Sequence, residues 1–89
     1  MHELSVLSHA VKTVSGIAEK NKIKSIKFLT LEVGSESTYV PMFFHKLYPV
    51  AIEHFPVLHG SELKTVTVPG KGLTIKEIGY WNEQSLWVK

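Results

Sequence analysis

Apolar residues first recur at helical intervals. Between Glu3 and Lys20 they fall at Leu4, Leu7, Val11, Val14 and Ala18, the 3-4-3-4 spacing of an amphipathic helix. Gly16 weakens that helix by about 1 kcal/mol against alanine without ending it, and Asn21 suits its C-cap. The period then changes to two. In Ile23–Val33, Leu29, Leu31 and Val33 point one way while Phe28, Thr30 and Glu32 point the other, which predicts a strand ended by Gly34 and the polar run Ser35-Glu36-Ser37-Thr38. A second helix is predicted over Pro41–His54, with Pro41 at its first position and Phe44, Leu47, Tyr48, Ala51 and Ile52 at helical spacing. Pro49 removes a backbone donor, so a kink there, or an end near Tyr48 and a restart, is expected. Residues 55–61 read as a connector. Two strands, Glu62–Val68 and Leu73–Ile78, flank the tight loop Pro69-Gly70-Lys71-Gly72 and predict a hairpin. The remaining tail, with Tyr80, Trp81, Leu86, Trp87 and Val88, is too apolar for loose chain and reads as a fourth strand or an oligomer contact.

The order α-β-α-β-β predicts an α+β two-layer domain: two helices on one face of a small mixed sheet of three strands, with the C-terminal tail as a candidate fourth. At 89 residues, positions 1–89 form one domain with a thin stability margin. The open face of such a sheet would leave Phe28 exposed unless the tail or a second subunit covered it.

Composition narrows the chemistry. There is no cysteine, which excludes disulfides and thiolate metal sites. All ten cationic residues are lysines and all eight acidic residues are glutamates. Without arginine, bidentate recognition of phosphates or bases is not expected. Lys20, Lys22, Lys24 and Lys27 alternate with polar and apolar residues and read as a solvated turn, so no nucleic-acid partner is implied. No apolar run reaches the ~18 residues of a membrane helix, and the start lacks a signal-peptide pattern, so no membrane association and a cytoplasmic location are expected. No nucleophile stands with a base and oxyanion donors in a recognisable pattern, so the chain is not read as an enzyme.

Three stretches in order carry a family resemblance. The chain opens Met1-His2-Glu3-Leu4-Ser5; the first strand ends Leu31-Glu32-Val33-Gly34, followed by Ser35-Glu36-Ser37 and Val40-Pro41; the last third carries Glu62-Leu63-Lys64, Val68-Pro69-Gly70 and Gly72-Leu73-Thr74-Ile75-Lys76-Glu77-Ile78. Over roughly residues 1–78 this resembles the nickel-insertion accessory proteins of NiFe-hydrogenase maturation, the HypA/HybF family. The resemblance implies a nickel-binding α/β domain. In the family a zinc domain with two CxxC-type pairs is inserted between the last two strands; here only the turn at 69–72 stands in its place, so Ni(II) but no zinc is expected. The implied partners are a nickel-handling GTPase and the hydrogenase large subunit, with urease served by some members.

By the same resemblance the nickel motif is Met1, His2 and Glu3. Its chemistry is independent of the name. His2 supplies an imidazole and a backbone nitrogen, and the Met1 α-amine and the Glu3 backbone nitrogen can complete four nitrogen donors, a set that favours Ni(II) or Cu(II). Copper would bind more tightly on affinity alone, so nickel preference rests on supply and partners. Three roles are open for the Glu3 carboxylate: ligand, acceptor for the imidazole, or first-turn acid on the helix dipole. The amine must be free, and a His at position 2 is expected to retain Met1.

His9, seven residues from His2, reads as a surface or packing residue ahead of an assisting ligand. His45, His54 and His59 fit no standard ligand spacing. Glu32 and Glu36 read as solvated acids near the strand end, and Trp81 and Trp87 as packing or oligomer residues. A different class of function competes with the nickel metallochaperone: a non-metal protein-interaction or regulatory module on the same fold. Either would be a monomer or small homo-oligomer, since a short strand connection also invites domain swapping.

Overall fold

A computed structural model describes the backbone of residues 2–82 and 85–88, with side chains for residues 2–80. The first helix, α1 (Glu3–Lys20), buries Glu3, Leu7, Ala10, Val11, Val14 and Ala18. Leu4, placed in the apolar stripe by its spacing, is 44% exposed, because the stripe centres on the neighbouring helical row through Leu7, Ala10 and Val14. The helix ends at Asn21, whose side-chain amide donates to the Ile17 carbonyl at 2.8 Å. Lys22 follows with φ +58°, while Lys22 N–H reaches the Glu19 carbonyl and Ile23 N–H the Ala18 carbonyl. These paired bonds satisfy the last turn and reverse the chain into the sheet.

Strand β1 (Ser25–Gly34) is central. After it, α2 (Pro41–Ala51) and a 3-10 turn (Pro56–Leu58) carry the chain across the helical layer, so β2 (Glu62–Val68) returns parallel to β1. Strand β3 (Leu73–Asn82) lies on the other side of β1, antiparallel to it, and β4 (Ser85–Val88) pairs antiparallel with β3. The sheet order is β2-β1-β3-β4. The mixed two-layer α+β architecture therefore forms as predicted, and the tail supplies a fourth strand. The packing read for the Trp81 and Trp87 side chains lies outside the described residues.

The expected hairpin does not form. β2 and β3 flank β1 instead of pairing, and Pro69–Gly72 arches over the end of β1. A four-residue Gly-containing loop reaches about 10 Å, two strand spacings, as readily as it closes a hairpin, so the loop alone does not distinguish the two. Which one forms is set by β1, whose two edges both need partners. The arch is bonded to the strand beneath it: Gly34 N–H to the Gly72 carbonyl at 2.8 Å, Ser35 N–H to the Val68 carbonyl at 2.7 Å, and Glu36 N–H to the Gly70 carbonyl at 2.7 Å. Gly34 is required by this approach, because a Cβ there would sit 2.4 Å from the Gly70 oxygen.

Two register shifts decide which side chains meet. Between Ile26 and Phe28, strand β1 carries one extra residue; between Thr30 and Leu31, β3 carries the extra one. Each bulge inverts the alternation locally. Ile26 thus joins Leu29, Leu31 and Val33 on the core face, and on β3 the odd-numbered Leu73 and Ile75 join the even-numbered Ile78 and Tyr80. Helix α2 adds Phe44, Tyr48 and Ala51. It runs through Pro49 to Ala51 without a restart, because Pro49 lies in the last turn on the exposed side, where the carbonyl it leaves free can meet water. The Tyr48 hydroxyl lies 2.7 Å from Ser61 Oγ, tying α2 to the start of β2.

The outer sheet face is partly covered from within. The Phe28 ring lies across Gly79, and Lys64 Nζ stands 4.2 Å from the ring centroid. Beside it, Thr30 is 4% exposed and its hydroxyl has no hydrogen-bond partner among the described residues.

Two substitutions test this arrangement by urea denaturation. Gly34→Ala should lower the unfolding free energy by about 2–3 kcal/mol, since backbone lies on the far side of the clash. Thr30→Val should raise it by about 1 kcal/mol, because it removes an unpaired buried hydroxyl at the same shape.

Candidate metal centre

Helix α1 begins at Glu3, with His2 as its N-cap residue at φ −131° and ψ 43°. The first helical hydrogen bond runs from Val6 N–H to the His2 carbonyl at 3.0 Å. The backbone N–H groups of His2 and Glu3 precede that bond and so have no acceptor within the helix. His2 is exposed and its imidazole makes no capping hydrogen bond. One imidazole and two backbone nitrogens are thereby left uncommitted by the helix. Met1, which would add the α-amine, lies outside the described residues.

Glu3 is different. Its side chain is only 6% exposed, and its Oε2 accepts a hydrogen bond from Val40 N–H at 3.0 Å. Val40 is the N-cap residue of α2 and precedes Pro41 at the first helical position. No side chain caps α2 from its own segment. One carboxylate thus sits at the starts of two helices, where the positive ends of both dipoles favour it. Its pKa is lowered chiefly by its own backbone N–H; burial opposes this, and Val40 N–H and the positive charges of the α-amine and His2 add to the lowering. Of the three roles open to it, the first-turn acid is the one this geometry displays.

The bond from the Val40 amide to Glu3 is the contact that sequence reading missed. Its signal was the Val40-Pro41 pair: a residue before proline is held extended, and its N–H then needs an acceptor from outside the helix. The loop leading to it is pinned in turn, with Ser37 Oγ donating to the Gly34 carbonyl at 2.7 Å and accepting from Tyr39 N–H at 3.3 Å.

The other histidines stand apart from His2. His9 is exposed on α1, at the rim of a 480 Å³ groove floored by Val6, Ala10, Leu73 and Ile75. His45 Nε2 is 3.0 Å from Thr65 Oγ1, His59 Nε2 is 3.0 Å from the Glu53 carbonyl, and His54 is exposed. Glu32 is half-buried within β1 and Glu36 is exposed in the loop after it. Among the described residues no three His, Cys, Asp or Glu side chains come together to hold a metal.

The chain folds as a small α+β domain, a four-stranded mixed sheet packed against two helices. Comparison gives that class a family. The model for hydrogenase/urease nickel incorporation metallochaperones, HypA, matches residues 1–74, and the chain belongs to this family. Its members are metallochaperones, not enzymes. The chain is 28% identical over 72 residues to the hydrogenase maturation factor HypA of Dechloromonas aromatica (strain RCB), a match covering 81% of this chain but 63% of that relative's length. The solution structure of the nickel metallochaperone HypA from Helicobacter pylori has the same fold, with a TM-score of 0.69 at 18% identity over 86% of this chain and 88% of that one. The family match ends at the second residue of β3, just past the arch.

The lowered Glu3 pKa has a pH signature. An ionised Glu3 favours the folded state above the ordinary carboxylate range, and that gain is lost as pH falls through the lowered folded value. Glu3→Gln should therefore reduce stability at neutral pH and flatten its acid dependence, read as urea midpoints between about pH 7 and about pH 3.

Proposed function

We propose that this chain is a nickel metallochaperone that binds Ni(II) reversibly at its amino terminus and delivers it to NiFe-hydrogenase maturation. The observation that carries the reading is the start of α1 at Glu3, which leaves the exposed His2 imidazole and the backbone nitrogens of His2 and Glu3 free of helical bonds. The Met1 α-amine completes the donor set. Nitrogen donors of this kind suit Ni(II), and each amide that becomes a ligand releases its proton to water, so affinity falls in acid. Nickel here is cargo; its site is open at the surface, as transfer requires.

The family supplies the expected setting: a nickel-handling GTPase and the hydrogenase large subunit as partners, in the cytoplasm. Among the described residues no helix is long and apolar enough to cross a membrane. The arch at 69–72 marks where the family's zinc module would be inserted; with no cysteine in the sequence, the thiolate zinc site of that module is not formed here, and residues 1–89 act as one nickel-binding domain.

Calorimetric titration of untagged protein, with Met1 verified by mass, should give one Ni(II) per chain and a visible absorption band of planar nickel. His2→Ala should weaken binding by roughly a hundredfold or more, about 2.7 kcal/mol, while leaving the fold intact. Residues added before Met1 should also weaken it by converting the amine to an amide. A folded, intact protein that binds no nickel at neutral pH would instead support the interaction-module reading.

A further inference from the structure

We propose that the outer edge of β2 is a self-association surface. A second copy of this chain pairs its own β2 there, antiparallel, about a two-fold axis at Thr65, and the two sheets become one. This is independent of the nickel site.

One bond shows which groups the edge offers. β2 ends the sheet order, so its outer side meets no strand among the described residues. The Val68 carbonyl accepts from Ser35 N–H, on the β1 side. Within a strand the N–H and C=O of one residue point to the same side, and that side alternates from residue to residue. Val68, Val66, Lys64 and Glu62 therefore bond toward β1, and the N–H and C=O groups of Leu63, Thr65 and Thr67 face outward.

The usual defences of an edge strand are missing. β2 pairs with β1 along its whole length without a bulge. It contains no proline, and Thr65-Val66-Thr67-Val68 is an unbroken β-branched run. Its one lysine, Lys64, is drawn over the Phe28 ring of β1, with Nζ 4.2 Å from the centroid, so its charge leans inward and not over the edge.

The strand also complements itself when reversed. About an axis at Thr65, the outward groups of Leu63 meet those of the partner's Thr67, and Thr65 meets the partner's Thr65, giving about six main-chain hydrogen bonds. Lys64 comes opposite the partner's Val66 and Glu62 opposite the partner's Val68, so no like charges are directly opposed. Sliding is resisted in both directions. With the axis at Lys64, two lysines would face each other. With the axis at Val66, the Leu63 carbonyl would face the partner's Pro69, which has no N–H. Larger shifts leave little of the strand overlapping.

Helix α2 extends the surface. His45 Nε2 lies 3.0 Å from Thr65 Oγ1, so the His45 flank of α2 faces β2. Met42 at i−3 and Pro49 at i+4 share that helical row, and both are exposed, Met42 by 61%. Two such rows meet across the axis. A strand edge of this length buries less than the ~1,200 Å² of a standard interface. The helix rows add apolar area, and the dimer is expected to be weak and concentration-dependent.

The test is sedimentation equilibrium of the whole chain without added metal, from about 5 to about 500 µM, with amide hydrogen exchange at both ends of that range. The average mass should rise from that of one chain toward that of two. The amides of Leu63, Thr65 and Thr67 should exchange more slowly at high concentration, while those of Lys64 and Val66, bonded to β1 in either state, stay unchanged. Thr65→Pro removes an N–H that faces solvent in the monomer, where an edge strand tolerates proline, and should weaken association about tenfold or more. Val66→Lys should also weaken it, by setting a second positive charge opposite Lys64, whereas Val66→Glu should strengthen it at low salt by setting a negative one there. Val66 is exposed, so these two variants decide the matter if the proline variant folds poorly. A chain that stays monomeric at the top of the range overturns the proposal, even if a strand of another protein is found on the edge. Association that Thr65→Pro leaves unchanged in a folded protein places the contact elsewhere and overturns it too. Equal effects of Val66→Lys and Val66→Glu overturn the register on which it rests.

Discussion

The central strand must satisfy both edges of its backbone and bury one of its faces, and most of the architecture answers those two demands. β1 takes β2 on one side and β3 on the other, while Leu29, Leu31 and Val33 turn toward the helices. Each fully buried residue of this kind contributes roughly 1.5–3 kcal/mol, so the face they form is a large share of a small domain's stability. Because both edges are taken, the link from β2 to β3 has to pass over the strand's end. That brings the Gly70 carbonyl onto Gly34 and leaves no room for a side chain. The two bulges follow from the same demand. They adjust register so that apolar residues out of phase in the chain arrive in phase at the core.

The amino terminus is organised by a second, more local bond. Glu3 sits at the start of α1 and accepts from the residue that starts α2, so the two helices share one negative charge at their positive ends. The loop between β1 and α2 is held at the arch by Ser35 and Glu36 and at Gly34 by Ser37. A chain of backbone contacts thus connects the arch, the loop, the Val40 turn and the first residues of the protein. Packing supports it at Tyr39 and Phe44, whose rings lie 5.7 Å apart and tilted at 46°.

That arrangement bears on what a nickel carrier needs. Donors must be held well enough to bind, yet remain at the surface so that ligand exchange is open. In the proposed site the helix would supply the order by beginning at Glu3, with the His2 and Glu3 amides outside its ladder of hydrogen bonds. The arch joins β2 to β3 across the end of β1, and its hydrogen bonds close the sheet at that end.

Local pattern was sufficient for much of this. Met1-His2-Glu3 was marked as a candidate by family resemblance; from local pattern, the 3-4 spacing in residues 4–18 identified α1, Pro41 marked the start of α2, and period-two alternation identified β1. These features depend on neighbours within a few positions, and the sequence by itself determined them. Tertiary structure alone decided the rest. Leu4 and Glu3 exchange places between surface and interior because the layer beneath α1 selects the row that is buried. The predicted hairpin became an arch because β1 competed for both strands. Glu3 became a bond to Val40 because the fold brings positions 3 and 40 together, a contact that no local period records.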